Sequence, residues 1–253
     1  MTIKQSILCF CLVLAFSLPA VAQFLPTAHN AQSAAMGGCL FVAQDNRERT
    51  LSLSYRQEYT LNGWADKEIG LLWPTLDRGI WIAHYHHFGD ESYNEQQASA
   101  GYSLDVSESV QVGIIGQYCR LSVDDGWYEA QQWLSGAAFA RIRVHNKLSL
   151  CMIGGYMPWL EKHPWGLRFG ASYRPTPTLL TTIETEHCQR FRLHYGMEYC
   201  YRKNYFLRAG FATNPLVLTF GGGLRISHYQ IDLSIESHSV LGITPQISFA
   251  LCF

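Results

Sequence analysis

Residues 243–253 read ITPQISFALCF. From Ile247 the side chains alternate: Ile247, Phe249, Leu251 and Phe253 fall on one face, Ser248, Ala250 and Cys252 on the other. Alternation with a period of two is the strand pattern. One face is wholly apolar, and the run closes on an aromatic. A last strand of this kind suits a sheet rolled into a transmembrane cylinder, in which it pairs with the first strand and leaves no open edge.

Working back from there, the same period recurs between turn residues. It predicts strands near 49–60, 66–73, 78–88, 96–106, 108–121, 130–142, 147–157, 165–174, 178–187, 191–201, 204–213, 216–226, 229–238 and 243–253. That is about fourteen, with twelve as the alternative, and each is long enough to cross a bilayer at a tilt. In 191–201, Phe191, Leu193, Tyr195, Met197 and Tyr199 oppose Arg192, His194, Gly196, Glu198 and Cys200. In 229–238, Tyr229, Ile231, Leu233 and Ile235 oppose Gln230, Asp232, Ser234 and Glu236. A soluble sandwich or lipocalin also has period two, but its polar face meets water. Here the polar face mixes Arg, Asp, Glu and Gly, and the strands outnumber those of a small sandwich. The expected fold class is therefore all-β, a transmembrane antiparallel β-barrel.

Composition agrees. The chain is 48% hydrophobic, 13% aromatic and only 15% charged, where soluble domains carry about 25% charge. No segment after the first twenty residues is apolar for the ~20 positions a transmembrane helix needs. Lys4, the apolar run Ile7–Leu18 and the small-residue site Ala20-Val21-Ala22 read as a signal peptide over 1–22, a retained anchor being the alternative. The expectation is export to the outer membrane of a Gram-negative cell. A net charge of −1 gives no electrostatic case for nucleic acid as a partner.

Residues 23–48 do not alternate. Their small, apolar content (Ala34, Ala35, Met36, Gly37, Gly38) suits a short plug packed inside or beneath a barrel spanning 49–253, against the alternative of a disordered leader. The segment Ala31-Gln-Ser-Ala34-Ala35-Met36-Gly37-Gly38-Cys39, followed by Phe41-Val42-Ala43 and Asp45, resembles the stretch after the signal peptide in barrels of the long-chain fatty-acid transporter (FadL) superfamily. The PorV/PorQ-like branch of that superfamily, associated with type IX protein secretion, is the one it is most similar to. The sequence departs from the pattern at Cys39 and the inserted Leu40, and lacks the Asn-Pro-Ala step that follows. The resemblance implies a fourteen-stranded barrel with an N-terminal plug. It also implies an accessory of type IX secretion that binds machinery or passenger proteins, or alternatively a small passive transporter of a hydrophobic compound.

Candidate functional residues sit at inward strand positions: Arg56, Glu58, Asp105, Arg168, Arg174, Arg192, His194, Glu198, Arg208, Asp232 and Glu236. Both signs occur in similar numbers, so they either line an aqueous channel or pair across a closed lumen. His84 and His86 share a strand face and are a candidate metal pair, but no carboxylate falls at matching spacing in their strand. They read instead as interfacial histidines at a strand end. The six cysteines after residue 22 form no CxxC pair and read as small wall residues. No metal or cofactor is expected. An outer-membrane lipid hydrolase is the remaining alternative, through His194 and a lumen Ser, although the local signatures of such enzymes are missing. The expected partners are outer-membrane lipid and one of the two classes above.

Overall fold

The computed structural model describes residues 30–41, 48–75, 78–124, 129–160 and 164–253. The segment read as a signal peptide, and residues 23–29 and 42–47, lie outside them. Fourteen strands follow one short helix, α1 (Ala31–Ala35). They are β1 (Thr50–Gln57), β2 (Ala65–Pro74), β3 (Gly79–Gly89), β4 (Tyr93–Asp105), β5 (Val110–Val123), β6 (Gln131–His145), β7 (Leu148–Tyr156), β8 (Trp165–Thr176), β9 (Leu179–His187), β10 (Phe191–Tyr201), β11 (Tyr205–Ala212), β12 (Val217–Ile226), β13 (Tyr229–His238) and β14 (Gly242–Cys252). Each pairs antiparallel with its neighbours, and the sheet closes on itself through β1 and β14. The closing register runs from Thr50↔Cys252 to Arg56↔Gln246.

The alternation sets the two faces. On β13 the odd residues Tyr229 to Ser237 are exposed and Gln230, Asp232 and Ser234 are buried. On β14 Thr244, Gln246, Ser248 and Cys252 turn inward while Ile247 and Phe249 stand outward. Leu134, Ile114, Leu207, Phe220 and Leu233 are outward and each more than half exposed. A continuous apolar outer wall of this kind is the face such a barrel presents to hydrocarbon. Among the described residues no helix is long and apolar enough to cross a membrane, which has no bearing on crossing by strands.

Several boundaries differ from the sequence pattern by one to three residues, and two of them have a clear local cause. The first strand ends at Gln57, not at 60, because Tyr59 and Thr60 take positive φ of 50° and 58° and the chain enters a 3-10 turn over Glu58–Thr60. Glu58 is thus a turn residue and not a strand residue. The fourth strand starts at Tyr93, three residues before the expected 96, because Asp90 Oδ1 accepts from the backbone N–H groups of Ser92 and Tyr93 and tightens the turn. The two ends of the barrel are unequal. At the end carrying Thr50 and Cys252 the connections are two to four residues, such as 146–147 and 202–204. At the other end lie the longer connections 58–64, 124–130 and 157–164.

Depth in hydrocarbon gives a test. Leu233→Arg, near the middle of β13, is expected to cost about 2–4 kcal/mol of folding free energy in lipid vesicles, and Tyr229→Arg, at the strand end, about 0–1 kcal/mol. Urea titration read by heat-modifiable gel mobility measures both. Equal midpoints for the two variants would place Leu233 away from hydrocarbon.

Candidate functional site

The lumen holds residues 30–41. Asn30 caps α1, its Oδ1 accepting from Ser33 N at 2.8 Å, and the helix packs against β11, β12, β13 and β14. The chain then crosses bare wall. Gly196, Gly210 and Gly221 are inward residues of β10, β11 and β12. A Cβ at Gly196 would come 2.5 Å from Met36 O, at Gly210 2.4 Å from Gly37 N, and at Gly221 2.5 Å from Ala35 Cβ. Three glycines therefore form the seat on which Ala35–Gly37 lies. Gly37 and Gly38 have φ of +71° and +74°, and a Cβ on Gly37 would meet Phe211 O at 2.5 Å. Backbone conformation and close approach both require glycine there. Ala34, Ala35 and Met36 are fully buried.

Inward side chains of the wall satisfy the backbone of this segment. Thr219 Oγ1 donates to Ala35 O and accepts from Gly37 N, both at 2.9 Å. His194 Nδ1 donates to Gly37 O at 2.7 Å, and Arg168 Nη2 donates to Gly38 O at 2.6 Å. Glu184 accepts from Leu40 N at 3.1 Å and Phe41 N at 3.0 Å, and Arg141 Nη2 donates to Phe41 O at 2.8 Å. Gln32 Nε2 donates to Glu198 at 3.1 Å.

The charges fall into three networks. Arg168 lies 2.8 Å from Glu184 and 3.5 Å from Glu186, which also faces His194 Nε2 at 3.2 Å. Arg208 lies 2.7 Å from Glu198 and 2.6 Å from Asp232, and Gln230 joins Asp232 to Arg225. Arg56 meets Glu58 at 2.8 Å, Glu236 at 3.1 Å and Asp66 at 4.0 Å. Asp66 in turn takes His86 Nε2 at 2.7 Å, and Glu68 faces His84 at 3.5 Å. Tyr93 Oη donates to Glu95 beside them. Of the residues singled out in the sequence, Arg56, Glu58, Arg168, His194, Glu198, Arg208, Asp232 and Glu236 stand in these networks. Asp105 is a buried residue at the end of β4.

Two candidates stand apart. Arg192 is half-buried at the start of β10, where its Nε donates to Asn214 O at 3.0 Å. Arg174 is exposed at the end of β8, where the β8–β9 register shifts between Tyr173 and Thr176. The histidine pair also differs from expectation. His84 and His86 are lumen residues with carboxylate neighbours, supplied by β2 and not by their own strand. The spacing within one strand carries no signal of this. Asp66, Glu68, Glu95, Arg141, Glu184 and Glu186 were missed, although the parity that found Glu198 and Asp232 applies to them. Among the described residues no three His, Cys, Asp or Glu side chains are arranged to hold a metal. None of the six cysteines of the described residues is in a disulfide.

An apolar patch of the lumen lies on β6 and β7. Phe41 packs on Ala137, Phe139, Cys151 and Ile153, with Ile82 and Ile115 at the edge. Beside it a cavity of about 30 Å³ lies between Leu40 and the wall residues Ala137, Ile153, Gly155, Met157 and Gly166, with Arg168 and Glu186 at one margin. This volume has room for only a few water-sized molecules.

The chain is thus a closed fourteen-stranded barrel with an apolar outer wall and an occupied lumen lined by ion networks and one apolar patch. No family model matches the sequence, and no curated protein does. Solved structures do share the fold. The CymD monoaromatic hydrocarbon channel superposes with a TM-score of 0.61 at 13% identity, over 81% of this chain and 88% of that one. The Pseudomonas putida toluene transporter TodX gives 0.64 at 11%, over 88% and 97%. A TodX deltaS2S3 mutant gives 0.66 at 11%, over 89% and 99%. At these identities the likeness is one of fold.

Two tests follow from the seat and the turn. Burial raises the Cys39 thiol, and Glu184 beside it adds to the effect, so Cys39 is expected to resist maleimide at neutral pH. Gly210→Val displaces Met36 and Gly37 and is expected to make Cys39 label at the rate of exposed thiols, read by peptide mass mapping. Unchanged protection would mean that the segment does not depend on this seat. Burial also lifts the Glu58 carboxyl to about 7, against the opposing pull of Arg56 and with Asp66 and Glu236 adding to the rise. The folded state then holds this proton more tightly than the unfolded chain. The contribution is present below about pH 4.5 and fades as pH rises through about 7. Urea midpoints of the native chain minus those of Glu58→Gln are expected to fall over that window, and a flat difference would remove Glu58 as the source.

Proposed function

We propose that this protein is an outer-membrane β-barrel that gives small hydrophobic compounds a passive route, with residues 30–41 as the plug that closes it. The observation that carries the reading is the apolar cavity between Leu40 of that segment and the β6–β8 wall. It continues into the surface formed by Phe41, Phe139 and Ile153. An apolar solute entering such a surface is stabilised by about 25 cal/mol per Å² removed from water. Further support comes from aromatic pairs at the same end of the barrel: Trp133 and Trp159 meet edge to face at 6.2 Å, and Trp64 stacks on Tyr93. The solved barrels of similar fold include chains titled as monoaromatic hydrocarbon channels, consistent with the same class of cargo. The cavity as it stands is too small for an aromatic ring, so passage requires Leu40 or Met157 to move.

The first expectation from the sequence, an accessory of type IX secretion in the PorV/PorQ style, gives way here to its alternative, because no observation of the site favours a protein partner. The neighbouring folds are titled as transport channels.

The route is tested with the barrel in phosphatidylcholine vesicles and naphthalene entry followed by fluorescence. Leu40→Ala is expected to raise the entry rate several-fold over the native chain, and Gly155→Trp to reduce it to the rate of protein-free vesicles. Entry that is the same in native and Gly155→Trp vesicles, both above protein-free, would move the route elsewhere. Entry in native vesicles equal to protein-free would end the proposal.

A further inference from the structure

The strands divide their charges between the two faces. Every Asp and Glu of the described strands points inward, including Asp66, Glu68 and Glu95 on β2 and β4. Arg143 and Arg174 flank turns at the end carrying the chain termini of the barrel. Apart from these, the Lys and Arg side chains that point outward from strands are Lys67 on β2 and Arg120 on β5.

These two cations are not scattered. The register makes one cross-strand row of them: Lys67 opposes His87, His87 opposes Gln96, and Gln96 opposes Arg120. Adjacent strands are about 4.8 Å apart, so Lys67 and Arg120 are separated by roughly 14 Å along the row. Two residues along each strand, toward the barrel's middle, the matching row is Ile69, Tyr85, Ala98 and Tyr118, all but one apolar and large. The outer face thus changes from apolar to cationic in one step of about 7 Å, with tyrosines at the boundary. Tyrosines at this level are the interfacial girdle of a membrane barrel. Arg120 Nε and His87 Nδ1 are screened from solvent and have no hydrogen-bond partner among the described residues. A buried guanidinium N–H without a partner is costly unless a ligand supplies an acceptor.

The row lies at the end of the barrel with the longer connections, 58–64 and 124–130. In barrels of this kind the longer loops are on the outer side of the membrane. We infer that Lys67, His87, Gln96 and Arg120 form a binding site on the outer wall for the phosphate of an anionic lipid headgroup in the outer leaflet. Phosphate oxygens supply the acceptors that Arg120 and His87 lack, the acyl chains lie along Ile69, Tyr85 and Tyr118, and the described strands place no carboxylate on this face. The site rests on the wall meeting lipid with this end outward. It does not rest on passage of a hydrophobic compound through the lumen.

The test uses the full barrel in phosphatidylcholine nanodiscs containing a minor fraction of diphosphoryl lipid A. Native mass spectrometry after transfer to mild detergent counts the lipid A retained. Native protein is expected to keep lipid A and to discard its dephosphorylated form. Each cation near an anionic surface contributes about 1 kcal/mol, so Lys67→Gln with Arg120→Gln is expected to weaken retention roughly thirtyfold. Lys147→Gln, in a turn at the opposite end, is expected to leave it unchanged. Heat-modifiable mobility of the same samples reports insertion separately. Equal retention by native and double-variant protein overturns the site, as does equal retention of the dephosphorylated lipid. Displacement by inorganic phosphate at matching concentration assigns the row to a soluble anion and overturns the lipid assignment.

Discussion

Hydrocarbon offers no hydrogen-bond partner to a backbone N–H or C=O, and each one left unpaired in it costs several kcal/mol. A sheet whose outer face is Leu53, Ile231, Leu233 and Phe249 can therefore sit in a bilayer only if it has no edge. The pairing of β1 with β14 from Thr50↔Cys252 to Arg56↔Gln246 meets that condition. The rest of the architecture follows from it. Closure fixes which parity of each strand is outside, and the same parity then sends Asp232, Glu236, Arg208 and Glu198 inside, where they must find partners among themselves.

The inner segment solves a second version of the same problem. Residues 36–41 are irregular backbone shut away from solvent, so their polar groups need acceptors and donors from elsewhere. Thr219, His194, Arg168, Glu184 and Arg141 provide them from five different strands. Arg168 serves two needs at once: it pairs with Glu184 and bonds Gly38 O. Removing it would strand a buried carboxylate and a buried carbonyl together, which explains why a lumen built from ion pairs is tied to one backbone path.

Strand number, order of magnitude of strand length and the sense of each face were legible because a lipid-facing wall imposes period two on every strand. Phe191–Tyr201 and Tyr229–His238 show this without ambiguity. Legibility failed where the chain departs from that period. Tyr59 and Thr60 carry side chains that a strand accepts, so their left-handed turn left no mark in the pattern. The seat for Met36 was hidden for another reason. Gly196, Gly210 and Gly221 each read as an ordinary small inward residue, and only the barrel's register brings them side by side on β10–β12. His84 and His86 were judged within their own strand, whereas Asp66 and Glu68 arrive from β2 through β2–β3 pairing. In the Ala34–Gly38 run the fit is the reverse. There the small residues and paired glycines signalled close packing directly.

The asymmetry of the lumen decides how it can open. Met36 lies fully buried on the glycine seat, and Ala35, Gly37 and Gly38 are fastened to Thr219, His194 and Arg168. Lifting this part would break four hydrogen bonds, one of them from the Arg168 guanidinium, and expose bare wall at once. Leu40 and Phe41 are held by three bonds to charged groups, Glu184 accepting from their two amides and Arg141 donating to one carbonyl. Bonds to charged groups are worth about 1.5–3 kcal/mol each, so shifting these two residues costs less than dislodging the whole segment. They are also the residues that border the apolar cavity and the Phe139–Ile153 surface. The glycine seat thus fixes Met36 on one side of the lumen, and Leu40 and Phe41 lie against the apolar patch on the other. On the proposed route, a rearrangement that keeps Met36 seated and swings Leu40 and Phe41 would exchange their bonds to Glu184 and Arg141 for an apolar path along β6 and β7.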